Sequence, residues 1–165
     1  MGTNLVFLTQ HSLAFNIIKG LTTRKFPNVE WITTEEFAQW LADPLKPQPI
    51  LLDARSEAEY AVSHLRASQR IEPNEPDLAT FTESKDKPIV VYCSVGYRSA
   101  RIAEHLQQAG FSVVYNLEGS IFQWANEGRP VFKDDRPTIL VHPYNALWGN
   151  LLNPEYRAQV DQVEK

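Results

Sequence analysis

Short unbroken apolar runs alternate with amphipathic stretches through the middle of the chain. Ile50-Leu51-Leu52-Asp53 and Ile89-Val90-Val91-Tyr92 read as buried strands, and Ser112 to Tyr115 reads as a third. Before the first run, Phe37, Trp40 and Leu41 share one face of a helix that Thr33 or Thr34 caps, with Glu35 and Glu36 in its first turn and Asp43-Pro44 at its end. Ser56 with Glu59 three residues on is a capping-box signature, predicting a helix from Glu57 to about Ser63. Ile102, Ala103, Leu106 and Ala109 lie on one face of a further helix. Gly110 supplies its left-handed stop, and Phe111 can pack back on Leu106. Ile121 to Asn126 reads as a last short helix before Gly128. Strands alternating with helices predict an α/β fold, a central mostly parallel sheet flanked by helices on both faces, with ligands at the carboxyl ends of the strands. Cys93 follows directly on Tyr92 at such an end.

The two ends of the chain have a different pattern. Residues 1–29 hold Lys19, Arg24 and Lys25 but no Asp or Glu. The expectation is an amphipathic helix packed on the body, with a transit peptide or surface-binding arm as the alternative. Val6 stands where a myristoylation signal needs Ser or Thr. Pro137 to Leu152 is too apolar for a solvated tail, carrying Ile139, Leu140, Val141, Leu147, Trp148 and Leu151 among others. It should cover the sheet or the N-terminal helix, or else meet a dimer or partner. Asn153 to Lys165 is polar, read as an exposed helix or a frayed end. The division is therefore a helical extension over 1–28, a central domain over 29–132 and a C-terminal extension over 133–165.

Composition narrows the functional classes. A chain of 165 residues with 43% hydrophobic and 22% charged residues makes one domain with extensions and needs no covalent staples. A net charge of −4 and the lack of a basic patch argue against nucleic acid as a partner. No apolar run approaches the roughly 20 residues that cross a bilayer. Because Cys93 is the chain's one cysteine, an intramolecular disulfide and every C-x-x-C metal or dithiol site are excluded, and no metal is expected. The lack of disulfides and of a secretory signal points to a reducing interior, the cytoplasm or alternatively an organelle.

The strand-Cys93-loop-helix order is chemically suggestive. Thiolates are favoured at helix N-termini and beside arginine. If Ser94, Val95, Gly96, Tyr97 and Arg98 curl round the sulfur, their backbone N–H groups form an anion nest, and Gly96 relieves the steric limits of the curl. Arg98 adds a fixed charge and a donor fork for an oxyanion or persulfide, and Ser99 caps the helix or donates one more hydrogen bond. The alternative for a lone cysteine at a strand end is a buried, inert side chain.

Cys93-Ser94-Val95-Gly96-Tyr97-Arg98-Ser99 resembles the active-site loop of the rhodanese-like domain family. The resemblance extends over about residues 29 to 132. Asp53-Ala54-Arg55 is similar to the family's Asp-x-Arg, Glu57, Tyr60 and His64 follow in its helix and histidine turn, and Val114 to Gly119 with Trp124 looks like its closing strand, glycine turn and tryptophan helix. Two departures stand out: Ala67-Ser68 where the family often has Gly-Ala, and Gly119-Ser120 where it has Gly-Gly. The resemblance implies a rhodanese-like fold and a sulfurtransferase. Its Cys93 would take sulfur from a small donor such as thiosulfate and pass it to a thiol, cyanide or a protein cysteine, without metal or organic cofactor. Asp53 and Arg55 read as a structural ion pair, and His64 as a turn histidine rather than a base. Thiosulfate is expected to be a poor substrate, since in the loop Arg98 alone offers charge to a dianion. A noncatalytic interaction module is the main alternative. A phosphatase or arsenate reductase is a further one, disfavoured because four residues separate Cys93 from Arg98 where a phosphatase ring has five.

Overall fold

Two strands with every residue buried, β2 (Ile50–Asp53) and β4 (Ile89–Tyr92), form the middle of the sheet. The computed structural model describes residues 3–81 and 85–161, with side chains from residue 11 onward except that of Thr80. The first two residues of the N-terminal extension and the last four of the C-terminal one lie outside the described residues. Around the two central strands lie β1 (Glu30–Ile32), β3 (Gln69–Arg70) and β5 (Val114–Leu117), giving a five-stranded sheet in the order β1-β5-β4-β2-β3. Every pairing in it is parallel, with Leu51 beside Val90 and Val90 beside Tyr115. The α/β class and the parallel sheet are as the alternating pattern predicts.

Period-two alternation assigns the core. Leu51, Val90, Tyr92 and Leu117 face helices α2 (Thr34–Ala42) and α5 (Ser120–Asn126), packing on Phe37, Ile121, Phe122 and Trp124. Leu52, Ile89, Val91 and Cys93 face α4 (Tyr97–Gln108) through Ala100, Ile102, Ala103 and Leu106. Each large aliphatic side chain so buried contributes roughly 1.5–3 kcal/mol, which is why these runs tolerate no polar interruption.

The predicted capping box at Ser56 forms, and the cap expected at Thr33 or Thr34 is Thr33, closed as a second such box. Thr33 caps α2 with Glu36 as its reciprocal partner, and Ser56 caps α3 (Glu57–Val62) with Glu59. The third strand starts two residues later than the pattern suggests. After Gly110 reverses the chain at φ +95°, Phe111 is buried and Ser112 bonds the Lys85 carbonyl before pairing begins. A two-stranded antiparallel hairpin, β6 (Val131–Lys133) and β7 (Arg136–Thr138), follows the sheet. Asp134 and Asp135 turn it at φ +50° and +60°, as a two-residue loop between right-twisted strands requires.

The N-terminal helix α1 (Thr3–Lys25) lies against α4, burying Phe15 and Thr22, with Phe26 buried just beyond its end, while Lys19 bonds Glu118 at 2.9 Å. In the C-terminal segment Val141 and Leu152 are fully buried in the α2/α5 core, and a short helix, α6 (Ala146–Gly149), lies between them. Of the following polar stretch, residues 153–158 are pinned on the body, with a 3-10 turn at Pro154–Tyr156 in place of an exposed helix, and residues 162–165 lie outside the described residues. Val141 N–H donates to Tyr156 O at 2.7 Å, and Ala158 N–H to Val141 O at 2.9 Å.

Candidate active site

Cys93 sits where β4 ends and its chain turns into α4. Its backbone is fixed from the opposite face of the sheet. Cys93 N–H donates to Ser120 Oγ at 3.1 Å, while Cys93 O and Ser94 O accept from Ile121 and Phe122 N–H, both at 3.1 Å, at the start of α5. Gly96 takes φ +109°, a conformation open to glycine, and its N–H then donates to Cys93 Sγ at 3.1 Å. A Cβ at Gly96 would lie 3.3 Å from the Trp31 ring, so the close approach needs glycine as well. The sulfur thus receives a backbone donor at the N-terminus of a 12-residue helix, where the helix dipole favours negative charge.

Ser99 is the third residue of α4, so Gly96 and not Ser99 is the cap. The Ser99 hydroxyl is 2.6 Å from Asn116 Oδ1 and 3.4 Å from Cys93 Sγ. Asn116 Nδ2 donates to Gly96 O at 2.8 Å, which leaves Oδ1 as acceptor for the single Ser99 proton. Ser99 and Asn116 therefore brace the loop from β5, and Ser99 is within reach of an anionic sulfur.

Arg98 lines the cavity above Cys93 but is tied to a carboxylate from α3. Nη1 and Nη2 donate to the two carboxylate oxygens of Glu59 at 2.8 and 2.9 Å, and Nη2 also meets Ser94 Oγ at 3.1 Å. The Tyr144 ring lies on the guanidinium at 4.9 Å. Burial, which would lower the Arg98 pKa, is outweighed by the Glu59 hydrogen bonds and by the charges of Cys93 and Glu59, so the cation is held above its ordinary range. Burial would raise the Glu59 pKa. The hydrogen bonds and charge of Arg98, with help from Arg55 and the Ser56 backbone, bring it down to about 2 instead. The loop's charge is therefore neutralised in place.

Asp53, Arg55 and His64 are held away from the sulfur. Arg55 is fully buried, with Nε and Nη2 on Asp53 at 2.8 and 2.6 Å and Nη2 also on Ser63 O at 2.7 Å. Asp53 also accepts from the buried Tyr92 hydroxyl at 2.6 Å, and burial followed by the Asp53 charge drives the Tyr92 pKa well up. His64 stacks on Tyr60 at 4.0 Å with Nδ1 3.0 Å from Tyr60 O, and its backbone pairs with Phe132. None of the three lines the cavity above Cys93.

That cavity has a volume of about 360 Å³. Cys93 and Ser94 lie at its base, Val95, Tyr97 and Arg98 come from the loop and α4, and the remaining wall is supplied by the two extensions. These are Ile18, Leu21 and Thr22 of α1, and Tyr144 and Trp148 near and on α6. Sequence reasoning placed none of these five in the site, nor Glu59, Asn116 and Ser120. For Glu59 the sequence signal is its place in the capping box, which specifies a helix start and not a partner for Arg98. For the extension residues the one signal was an apolar content too high for a solvated tail. Among the described residues no group of His, Cys, Asp and Glu could hold a metal ion, and no helix is long and apolar enough to cross a membrane.

Comparison with known proteins places this geometry. A family model described as a rhodanese-like domain matches residues 35–127, more than half of the chain. A sulfurtransferase from Allochromatium vinosum is 32% identical over 103 residues, covering 62% of this chain and 94% of that protein. A tRNA uridine(34) hydroxylase from Onion yellows phytoplasma is 33% identical over 102 residues, but those cover 57% of this chain and 32% of the hydroxylase. The crystal structure of a rhodanese-related protein from Thermoplasma volcanium superposes with a TM-score of 0.54 at 27% identity, covering 62% of this chain and 97% of that one.

Proposed function

The chain belongs to the rhodanese-like domain family, and from that premise we propose that it is a sulfurtransferase which carries sulfur as a persulfide on Cys93. The observation that supports this best is the Gly96 N–H donated to Cys93 Sγ at 3.1 Å, at the start of α4 and at the base of an open cavity. In the first half-reaction the Cys93 thiolate attacks the outer sulfur of a donor. A new S–S bond forms, the donor's own S–S bond breaks, and the leaving group, sulfite in the case of thiosulfate, departs with the bonding pair. The persulfide anion keeps the Gly96 hydrogen bond and the helix N-terminus, and Ser99 is near enough to turn its proton toward it. In the second half-reaction a thiolate or cyanide attacks that outer sulfur and Cys93 leaves as thiolate.

This chain has no second cysteine, so the accepting thiol comes from a small molecule or another protein. A reducing compartment, the cytoplasm in the simplest case, keeps such acceptors available. A phosphatase needs the arginine fork free for a phosphate dianion, and here Glu59 occupies it.

The test is intact mass after incubation with a sulfur donor, before and after cyanide, with Cys93→Ser alongside. The expected result is a gain of one sulfur atom, about 32 Da, that requires Cys93 and is removed by cyanide. Failure with thiosulfate but success with a protein persulfide donor would move the substrate to a protein partner. Failure with both would leave a binding module.

A further inference from the structure

We propose that α1 and the C-terminal segment make the Cys93 cavity selective for a sulfur compound with an apolar body of about aromatic-ring size, and against small inorganic dianions. The inference rests on the sulfurtransferase reading and specifies its substrate class.

Three observations carry it. The first is the wall. Ile18 and Leu21 come from one side and Trp148 from the other, with Val95 and Tyr97 between, so nearly every surface beyond the reacting sulfur is hydrocarbon or aromatic. A cavity of about 360 Å³ is also in the range of sites that enclose an organic molecule. An inorganic anion would leave most of such a space unfilled.

The second is charge. A dianion in an apolar cavity needs compensating cations. Arg98 lines the cavity but is neutralised by bidentate contact with Glu59. Of the nearby lysines, Lys19 is paired with Glu118 at 2.9 Å and Lys25 bonds the Tyr97 hydroxyl on the exposed outer side. The site therefore offers a backbone N–H and a helix terminus, enough for one negative charge at the reacting sulfur.

The third is continuity at the mouth. Leu21 on the wall is 60% exposed, and Leu13 and Ile17 precede it at four-residue spacing on the same helix face, with exposures of 63% and 54%. Leu147, next to Trp148, is 73% exposed. The apolar surface continues outward from the cavity, so a ligand body longer than one ring stays in hydrophobic contact.

Organic thiosulfonates probe this directly. Cys93 thiolate attacks the terminal sulfur of R–SO₂–S⁻, the Sγ–S bond forms, the S–S bond breaks, and the sulfinate R–SO₂⁻ leaves with the electron pair. Two negative charges stand on each side, and no external oxidant or reductant is needed.

The experiment measures single-turnover sulfur loading of the full chain by intact mass, with benzenethiosulfonate, methanethiosulfonate and thiosulfate. Each rate is divided by that of the same donor with free cysteine. The phenyl donor is expected to exceed the methyl donor by about ten- to a hundredfold, the factor that burying one ring supplies, with thiosulfate below both. Leu21→Asp, on an exposed helix position, and Trp148→Ala should each bring the phenyl-to-methyl ratio down by about tenfold. A wild-type ratio near one, or thiosulfate matching the phenyl donor, overturns the inference while the persulfide itself stands. A high ratio that neither variant lowers overturns the assignment to α1 and the C-terminal segment. No added sulfur from any of the three donors or from a protein persulfide overturns the sulfurtransferase reading, and the inference with it.

Discussion

Replacing Glu59 by Gln isolates the charge that neutralises the loop. Glutamine keeps the size of the side chain and can still serve the capping box with Ser56. It removes the negative partner of Arg98, so the substitution behaves like permanent protonation of Glu59. Linkage then supplies the magnitude. With the folded pKa lowered from 4.5 to about 2, ionisation of Glu59 stabilises the fold by about 3 kcal/mol at neutral pH. Because the folded value is depressed, this stabilisation is complete above the unfolded pKa and is lost as pH falls toward 2. The variant should therefore be about 3 kcal/mol less stable than wild type at pH 7, with the gap narrowed by about 2 kcal/mol at pH 3. A fold of ordinary stability, about 5–15 kcal/mol, survives the loss. Urea unfolding of both proteins at pH 7, 4 and 3 measures the difference and cancels every other titrating group. A gap that stays constant across that range, or one under about 0.5 kcal/mol at pH 7, would refute the claim that Glu59 and Arg98 form a tightly coupled pair. The same variant uncovers Arg98, so sulfur loading from thiosulfate should rise relative to wild type when compared with a singly charged donor.

Two further sets of variants test the frame around the site. Ala67 and Ser120 both take positive φ, +61° and +48°, at the two positions where family members often have glycine. Ala67→Gly should be neutral or stabilising by up to about 1 kcal/mol in thermal unfolding, since strain relief competes with the entropy of a freer chain. Ser120→Gly should be destabilising by about 1 kcal/mol despite the same relief, because Ser120 Oγ accepts from Cys93 N–H and donates to Leu117 O; equal effects of the two changes would show that the hydroxyl contributes nothing. Leu152→Ala removes a fully buried side chain of the C-terminal segment and should cost about 2–5 kcal/mol in urea unfolding. A loss under about 1 kcal/mol would mean that the segment does not belong to the cooperative core.

The parts of the fold that were legible in the sequence are those whose physics is local. Ile50–Asp53 and Ile89–Tyr92 are buried on both faces and so appear as unbroken apolar runs, and Ser56 with Glu59 specifies a helix start within four residues. β1 and β3 carry no such mark. β3 is two exposed residues, Gln69 and Arg70, whose strand character comes wholly from pairing with Leu52 and Asp53. The hairpin of β6 and β7 likewise has three residues a side, with Asp-Asp at its turn in place of the Asn-Gly or Asp-Gly that signals a hairpin.

The site divides along the same line. The order of Cys93, Gly96 and Arg98 within one loop places a backbone donor on the sulfur, and that much follows from spacing. What Arg98 does there depends on Glu59, which folding brings from 39 residues away, and on Tyr144 from the far end of the chain. An arginine in a loop motif looks available for an anion until its counter-charge is known, and a glutamate in a capping box looks spent until a second partner arrives. Glu59 in fact serves both, with Oε1 on Ser56 and both oxygens on Arg98. In the same way, Ile18 and Trp148 come to lie over one sulfur although more than a hundred residues separate them in the chain. Under the proposed reading the loop holds a charged sulfur, and the compounds that reach it are selected by residues outside the loop, in the segments where motif matching has least to say.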